Sequence, residues 1–424
     1  GGAVYCGNAT VIETHRVSFI RNIAKSTRVK NVYGGGIFIR WSLVILVHRS
    51  NFQENFAKKR GGAIFVKHTN KGVTISSSFH HNAAESGGVI YCLSINNILL
   101  LNSYYAQNFA ISMGNVIWIT TSKSCNVINS TFLRNTKVNS HGIICLFKSE
   151  LLKSINCLFL NNSPSCVDLR SVQRIQIQNC TFKSGRAKEG AAVHAYKCQQ
   201  LDLVNSYFLQ NEVKNSGAGL YFRYSHTVHL THCHFMQNFA HSSGAGLNID
   251  HSTYLSIRNC SIKYNRANFG GGFVIRLIKY SIIFDLSIIG NSVSDQAGGA
   301  YIQKSLYKLL LCRCIISRNR AKIGEGGLFG HNCGEIVVIN CKLLENQADN
   351  TGGVRLIKVK TLTIISSSIF RNVGFDNSGG VSIRIADKVT ILGCQMMDNV
   401  AGEEDSNLHV KVDQVTLAKI RIYH

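Results

Sequence analysis

An aromatic or aliphatic residue followed three positions later by Asn recurs every 26 or 27 residues in this chain. Phe19 with Asn22, Phe52 with Asn55, Phe79 with Asn82, Phe132 with Asn135 and Phe235 with Asn238 show the pattern. Some six to nine positions on comes a Gly-rich step, as at Gly61-Gly62-Ala63, Gly298-Gly299-Ala300 and Gly352-Gly353-Val354. A fixed period in this range specifies a solenoid, because one repeat cannot bury its apolar face without a neighbour stacked on it.

The register runs the length of the sequence. The marker falls at Asn22, Asn55, Asn82, Asn108, Asn135, Asn162, Asn211, Asn238, Asn265, Asn291, Asn319, Asn346, Asn372 and Asn399. Gly185 takes its place once, after a short coil that holds Pro164, the only proline. Between markers, Val, Ile, Leu, Phe and Tyr alternate with Ser, Thr and Asn, as in Ile128-Asn129-Ser130-Thr131-Phe132. Alternation of period two is the signature of strands, and no segment sustains a helical period. The chain therefore reads as all-β, a parallel β-helix of about 15 coils of 26 to 27 residues with two or three strands each. It reads as a single solenoid domain over 1–424. Raw strand edges at Gly1 and His424 point to a segment of a longer chain or an end-to-end assembly.

The repeated positions are structural. The Asn is expected at a sharp turn, bonding its amide to the next coil in a ladder. The residue three before it stacks inward, aromatic through Phe235 and aliphatic or Met from Ile262 onward. The Gly step marks a corner where a Cβ is excluded. Cysteine follows the same logic. Cys157, Cys180, Cys233, Cys260, Cys314, Cys341 and Cys394 all lie two before the inward hydrophobe, where Ser50, Ser77, Ser103, Ser130, Ser206 and Ser367 stand in other repeats. That exchange reads as a reduced packing column of small residues. Cys6, Cys92 and Cys145 share a second position, three after the Gly-rich step, and Cys125, Cys166, Cys198 and Cys333, nearer turns, are the better candidates for oxidation.

A net charge of +24 favours acidic partners: anionic glycans, an acidic protein surface, or less readily nucleic acid, for which no module is visible. Counting four residues past the third member of the Gly-rich step gives Arg40, Lys67, Arg223, Arg276, Lys304 and Lys358, a basic column that Asp250 interrupts. Phe65 and Tyr221 sit two before a base, so bases and aromatics together make a candidate face for a long anionic polymer. Sequons at Asn8, Asn129, Asn161, Asn179 and Asn259 are candidate N-glycan sites. No apolar run is long enough to span a membrane as a helix.

The sequence offers little for catalysis. Asp168, Asp202, Asp250 and Asp285 are scattered. Glu403, Glu404 and Asp405 read as a solvated turn, and His232 and His234 around Cys233 lack a third metal ligand. No nucleophile motif, phosphate loop or cofactor motif is present, so neither a catalytic residue nor a metal or cofactor is expected.

The Gly-Gly-Ala-Ile/Val-Phe/Tyr step (Gly61 to Phe65, Gly1 to Tyr5) combined with Phe-x-x-Asn (Phe52 to Asn55, Phe208 to Asn211) resembles the repeats of the chlamydial polymorphic outer membrane proteins. The resemblance covers essentially the whole chain. It implies a right-handed parallel β-helix displayed at a cell surface and acting in adhesion, and it brings no catalytic residues. The expected function is thus a non-enzymatic extracellular or cell-surface adhesion or structural module that binds anionic glycans through a basic face. A lyase or hydrolase on anionic polysaccharide and a subunit of an extracellular filament are the alternatives.

Overall fold

Each long strand pairs in parallel with the strand one repeat further on. Ile64–Ile75 lies against Ile90–Leu101, with Ile64 opposite Ile90 and Ile75 opposite Leu101. The computed structural model describes residues 2–26, 32–137, 142–402, 407–412 and 414–423. It divides into two compact units, residues 1–207 and 208–424. Each unit is a parallel β-helix. The acidic cluster at Glu403, Glu404 and Asp405 lies outside the described residues.

A coil carries three strand segments. In the second unit Leu247–Arg258 is a long strand, Ser261–Lys263 the next and Arg266–Ala267 the third, and each finds its parallel partner in Phe273–Phe284, Ser287–Ile289 and Ser292–Val293. The first unit repeats the plan with Ile37–His48, Asn51–Gln53 and Phe56–Arg60. Turning the chain at each corner requires a residue in the left-handed region. His251 (φ 53), Asn259 (φ 51) and Tyr264 (φ 56) do this for one coil. The first of the three bends the long strand at its middle. A left-handed L-residue costs roughly 1–2 kcal/mol. The backbone hydrogen bonds that every coil makes to its neighbours offset this, which is why side chains as large as Trp41 and Tyr224 are tolerated there.

The Asn ladder is present, with one correction. The left-handed residue is the one before the Asn (Glu54, His81, Gln107), while the Asn itself points inward and is buried. Asn238 donates both its backbone N–H and its Nδ2 to Oδ1 of Asn265, at 2.9 Å each, and its Nδ2 also reaches the Phe208 carbonyl at 2.9 Å. The buried amides of the ladder are thereby satisfied by their equivalents and by a backbone carbonyl of the preceding coil. In the first unit the ladder runs from Asn22 to Asn162. In the second it runs from Asn211 to Asn399, and Asn399 then donates to Asn407, a partner that carries no repeat signature.

The inward aromatic column stacks at coil spacing. Phe52 and Phe79 have ring centroids 4.9 Å apart and near-parallel planes, as do Phe79 and Tyr105. The distance matches the separation of paired strands, so backbone pairing and ring stacking reinforce each other. At the Gly step, Gly61 holds φ +67, and a Cβ on Gly62 would collide with the Gly88 carbonyl of the next coil.

Inward Ser and Cys share one column, and the structure gives its reason. The Ser50 amide donates to Ser77 Oγ at 3.1 Å, and the Cys233 amide donates to Cys260 Sγ at 3.3 Å. The thiol of Cys260 donates in turn to the Arg258 carbonyl. Two expectations for cysteine are corrected. Cys145 does not align with Cys92; it pairs with Trp118, one residue out of step. Cys125, Cys166, Cys198 and Cys333 are buried, and burial pushes Cys166 and Cys198 up to about 12 and Cys333 up to about 11. Burial raises Cys125 as well. Oxidation proceeds through the thiolate, so these four are poorly placed for it.

Candidate functional site

Four of the candidate bases, Arg40, Lys67, Arg223 and Arg276, lie just before the first corner of their coils. Register, rather than distance from the Gly step, defines the rows. In the first unit Arg40 stands opposite Lys67 and Phe147 opposite Arg170. In the second, Arg223 stands opposite Asp250, Asp250 opposite Arg276, and Arg276 opposite Gln303. Lys304 and Lys358 are not in this row. They follow Gln303 and Ile357 and occupy the left-handed corner itself (φ 54 and 56), beside Tyr224 and His251 in the equivalent place. The reason is a slip of one. In Gly298-Gly299-Ala300 the third member is already the first paired residue, opposite Phe273, whereas in Gly34-Gly35-Gly36 the first paired residue is Ile37. Counting from the third member therefore overshoots.

Row and corner together form a ridge with a marked excess of bases. The first unit adds Lys148, Arg170 and Lys197, and among its described residues neither line holds an acid. The second adds Arg384 and Lys411 and holds one acid, Asp250. Four of these bases escaped sequence reading because their coils lack a clear Gly triplet, and Arg384 because counting four past Val381 of Gly379-Gly380-Val381 overshoots to Ile385. Acids go elsewhere. Arg21 pairs with Glu54 and Arg318 with Glu345 at the third corner, and Arg313 with Asp285 at the second. The field of the ridge is felt by His331, which lies in the same row. Burial, then the charges of Lys358 and Lys304, push its imidazole below the ordinary value.

Phe65 and Tyr221 do not belong to the ridge surface. They are 1% and 7% exposed. Phe65 lies in a stack with Tyr33 and Tyr91 that packs on to Trp118. The exposed rings are one step further out, at the corner. Trp41 stacks on His68 at 4.2 Å, and Tyr224 lies tilted against His251 at 4.4 Å. Arg40 reaches over Trp41 at 5.9 Å and Arg223 over Tyr224 at 4.7 Å. Asp250, which interrupts the row between Arg223 and Arg276, is the hub of the second cluster. Its Oδ2 lies 3.2 Å from Arg223 Nε and its Oδ1 2.7 Å from His251 Nδ1.

The remaining candidates fall into place. All five sequon residues, Asn8, Asn129, Asn161, Asn179 and Asn259, are exposed and occupy left-handed corners. Asn156 donates to Asn129 at 3.0 Å, and Asn179 donates to Asn156 at 3.1 Å, an external counterpart of the buried ladder. His234 Nδ1 is 2.7 Å from Ser261 Oγ. Among the described residues no group of three His, Cys, Asp or Glu is placed to hold a metal ion, and no helix is long and apolar enough to cross a membrane. Asp202 is engaged by Gln200, and Asp168 by His194 at 3.0 Å in a nearly sealed pair.

A family model described as a right-handed β-helix region matches residues 141–277. With the parallel coil-on-coil pairing seen in both units, this gives the fold as a right-handed parallel β-helix. Comparison with curated proteins and with solved structures returned no match.

Proposed function

We propose that this β-helix is an extracellular or cell-surface adhesion module that retains anionic glycans along its first-corner ridge. The observation that supports it is an excess of bases: Arg40, Lys67, Lys148, Arg170 and Lys197 in the first unit and Arg223, Arg276, Lys304, Lys358, Arg384 and Lys411 in the second lie at that corner or just before it, and the acids that meet them are Asp168 and Asp250. A repeating row of cations at strand spacing suits a linear polyanion better than a compact ligand, because each sugar or two meets an equivalent group. The Trp41–His68 and Tyr224–His251 ring pairs add apolar faces on which a sugar ring can lie.

The test is chromatography on immobilised heparin. Arg40→Glu with Lys67→Glu, and Arg223→Glu with Arg276→Glu, each lower the salt needed for elution. Reversal of Arg318 and Arg371, bases of the third corner that face Glu345 and Asp398, leaves it nearly unchanged. Equal losses from both sets would remove the ridge as the binding surface.

A further inference from the structure

The cluster around Asp250 has the parts of a proton-transfer site. His251 projects from the left-handed corner with its side chain 38% exposed, whereas the Asp250 carboxylate beneath it is 12% exposed. The carboxylate meets Nδ1 at 2.7 Å, so the ring is held by one nitrogen and the Nε2 edge is directed away from the carboxylate. A buried carboxylate fixing the orientation and tautomer of a histidine is the arrangement by which an imidazole becomes an effective base. Tyr224 lies on the preceding coil, its ring centroid 4.4 Å from that of His251. Arg223 ties the group together, donating from Nη2 to the Tyr224 phenol at 3.3 Å while Nε lies by Asp250. Arg276 stands opposite Asp250 on the following coil. The contrast with Asp168–His194 is instructive. There the side chains are 2% and 13% exposed, and the pair is closed to a polymer.

We propose that this corner cleaves a uronate-containing polysaccharide by β-elimination, with His251 as general base and Tyr224 as proton donor. The inference rests on the glycan reading of the ridge and names its substrate class. Arg276 neutralises the uronate carboxylate, which acidifies the hydrogen on the carbon beside it. His251 takes that proton. The electron pair left behind forms the C4–C5 double bond, and the C4–O bond breaks with its electrons on the departing oxygen. Tyr224 supplies the proton that oxygen needs. Imidazolium and phenolate are then reset by proton exchange with solvent. One glycosidic bond is exchanged for one double bond and one new hydroxyl, and no oxidant, reductant or water is consumed. Asp250 and Arg223 are positioning residues: the first holds the base and the second holds the acid.

The experiment incubates the whole chain with polygalacturonate, alginate and chondroitin sulfate. It measures retention of each polymer by affinity electrophoresis and the ultraviolet absorbance of the conjugated double bond. The expected result is unsaturated product from at least one retained polymer. A general base contributes roughly 10²–10⁴-fold. His251→Ala should therefore lower kcat by about 100-fold or more. Tyr224→Phe should do the same by removing only the phenol oxygen, which guards against a folding defect in the first variant. Asp250→Asn should lower kcat at constant KM, with partial rescue by Asp250→Glu, whereas Arg276→Ala should raise KM. Polymer retained without unsaturated product from any substrate overturns the inference and leaves the ridge intact. An undiminished rate in His251→Ala overturns it too. If no polymer is retained at all, the ridge reading falls first and this inference with it.

Discussion

At the scale of single residues, the stability of each coil depends on whether an inward side chain can accept a hydrogen bond from the coil before it. The Ser/Cys column shows this. Sequence reading recognised a small inward residue there, and volume alone does explain why Ser and Cys exchange. It does not explain why Ala is absent from these markers. The Cys233 amide has Cys260 Sγ as its acceptor, and Cys260 is buried. Cys260→Ser keeps an acceptor in the same place and should change stability by no more than about 0.5 kcal/mol. Cys260→Ala leaves a buried N–H unsatisfied and should cost about 1–3 kcal/mol. The midpoint of urea unfolding at unchanged slope reads both. Equal, small effects would reduce the column to packing.

At the scale of elements, what was legible in the sequence is what repeats within one strand or one corner. The Phe-x-x-Asn marker named both the ladder and the aromatic stack because both depend on one position per coil. The ridge was half legible. Arg40, Lys67, Arg223 and Arg276 were found because their coils carry three-residue Gly steps in the same register, and Lys304 was misplaced by one because its coil does not. The burial of Phe65 and Tyr221 was not legible, since the rings that cover Phe65, such as Tyr33, come from other coils. Nor was the role of Asp250, which arises only when His251 turns the corner beside it. The Gly step between the third segment and the next long strand holds another group of this kind. Glu325, paired across coils with Thr351 and 3.2 Å from Arg355 Nη1, is buried deeply enough that desolvation pushes its carboxyl up to about 7 despite the guanidinium. The folded state therefore binds more protons than the unfolded state between the ordinary value near 4.5 and about 7, and stability falls as pH rises through that window. The loss amounts to at most about 3 kcal/mol. Urea unfolding from pH 5 to pH 7.5 should show this decline, and Glu325→Gln should flatten it. A slope unchanged in the variant would mean that other groups carry it.

At the scale of the whole molecule, the excess of 46 basic over 22 acidic side chains is not spread evenly, and its unevenness is what gives it a use. Ion pairs at the second and third corners are solvated and contribute little to stability. They keep Glu54, Asp285 and Glu345 away from the ridge, where Asp168 and Asp250 are the acids that meet its bases. What is left is a line richer in cations than in acids, with neighbours such as Arg40 and Lys67 at the strand spacing of about 4.8 Å. A linear polyanion lying along such a line releases one condensed counterion for nearly every charge it meets, so its affinity must depend steeply on salt. With about four contacts, the binding constant for heparin should drop on the order of 50-fold between about 50 and about 200 mM salt. Reversing Arg223 and Arg276 should lower the slope of log K against log salt, by roughly one contact for each base lost, while reversal of Arg318 and Arg371 should leave it alone. Isothermal titration at three or four salt concentrations measures this. An affinity that stays flat across the series would mean that the polymer is held by ring stacking at Trp41 and Tyr224 and that the line of charge plays no part in holding it.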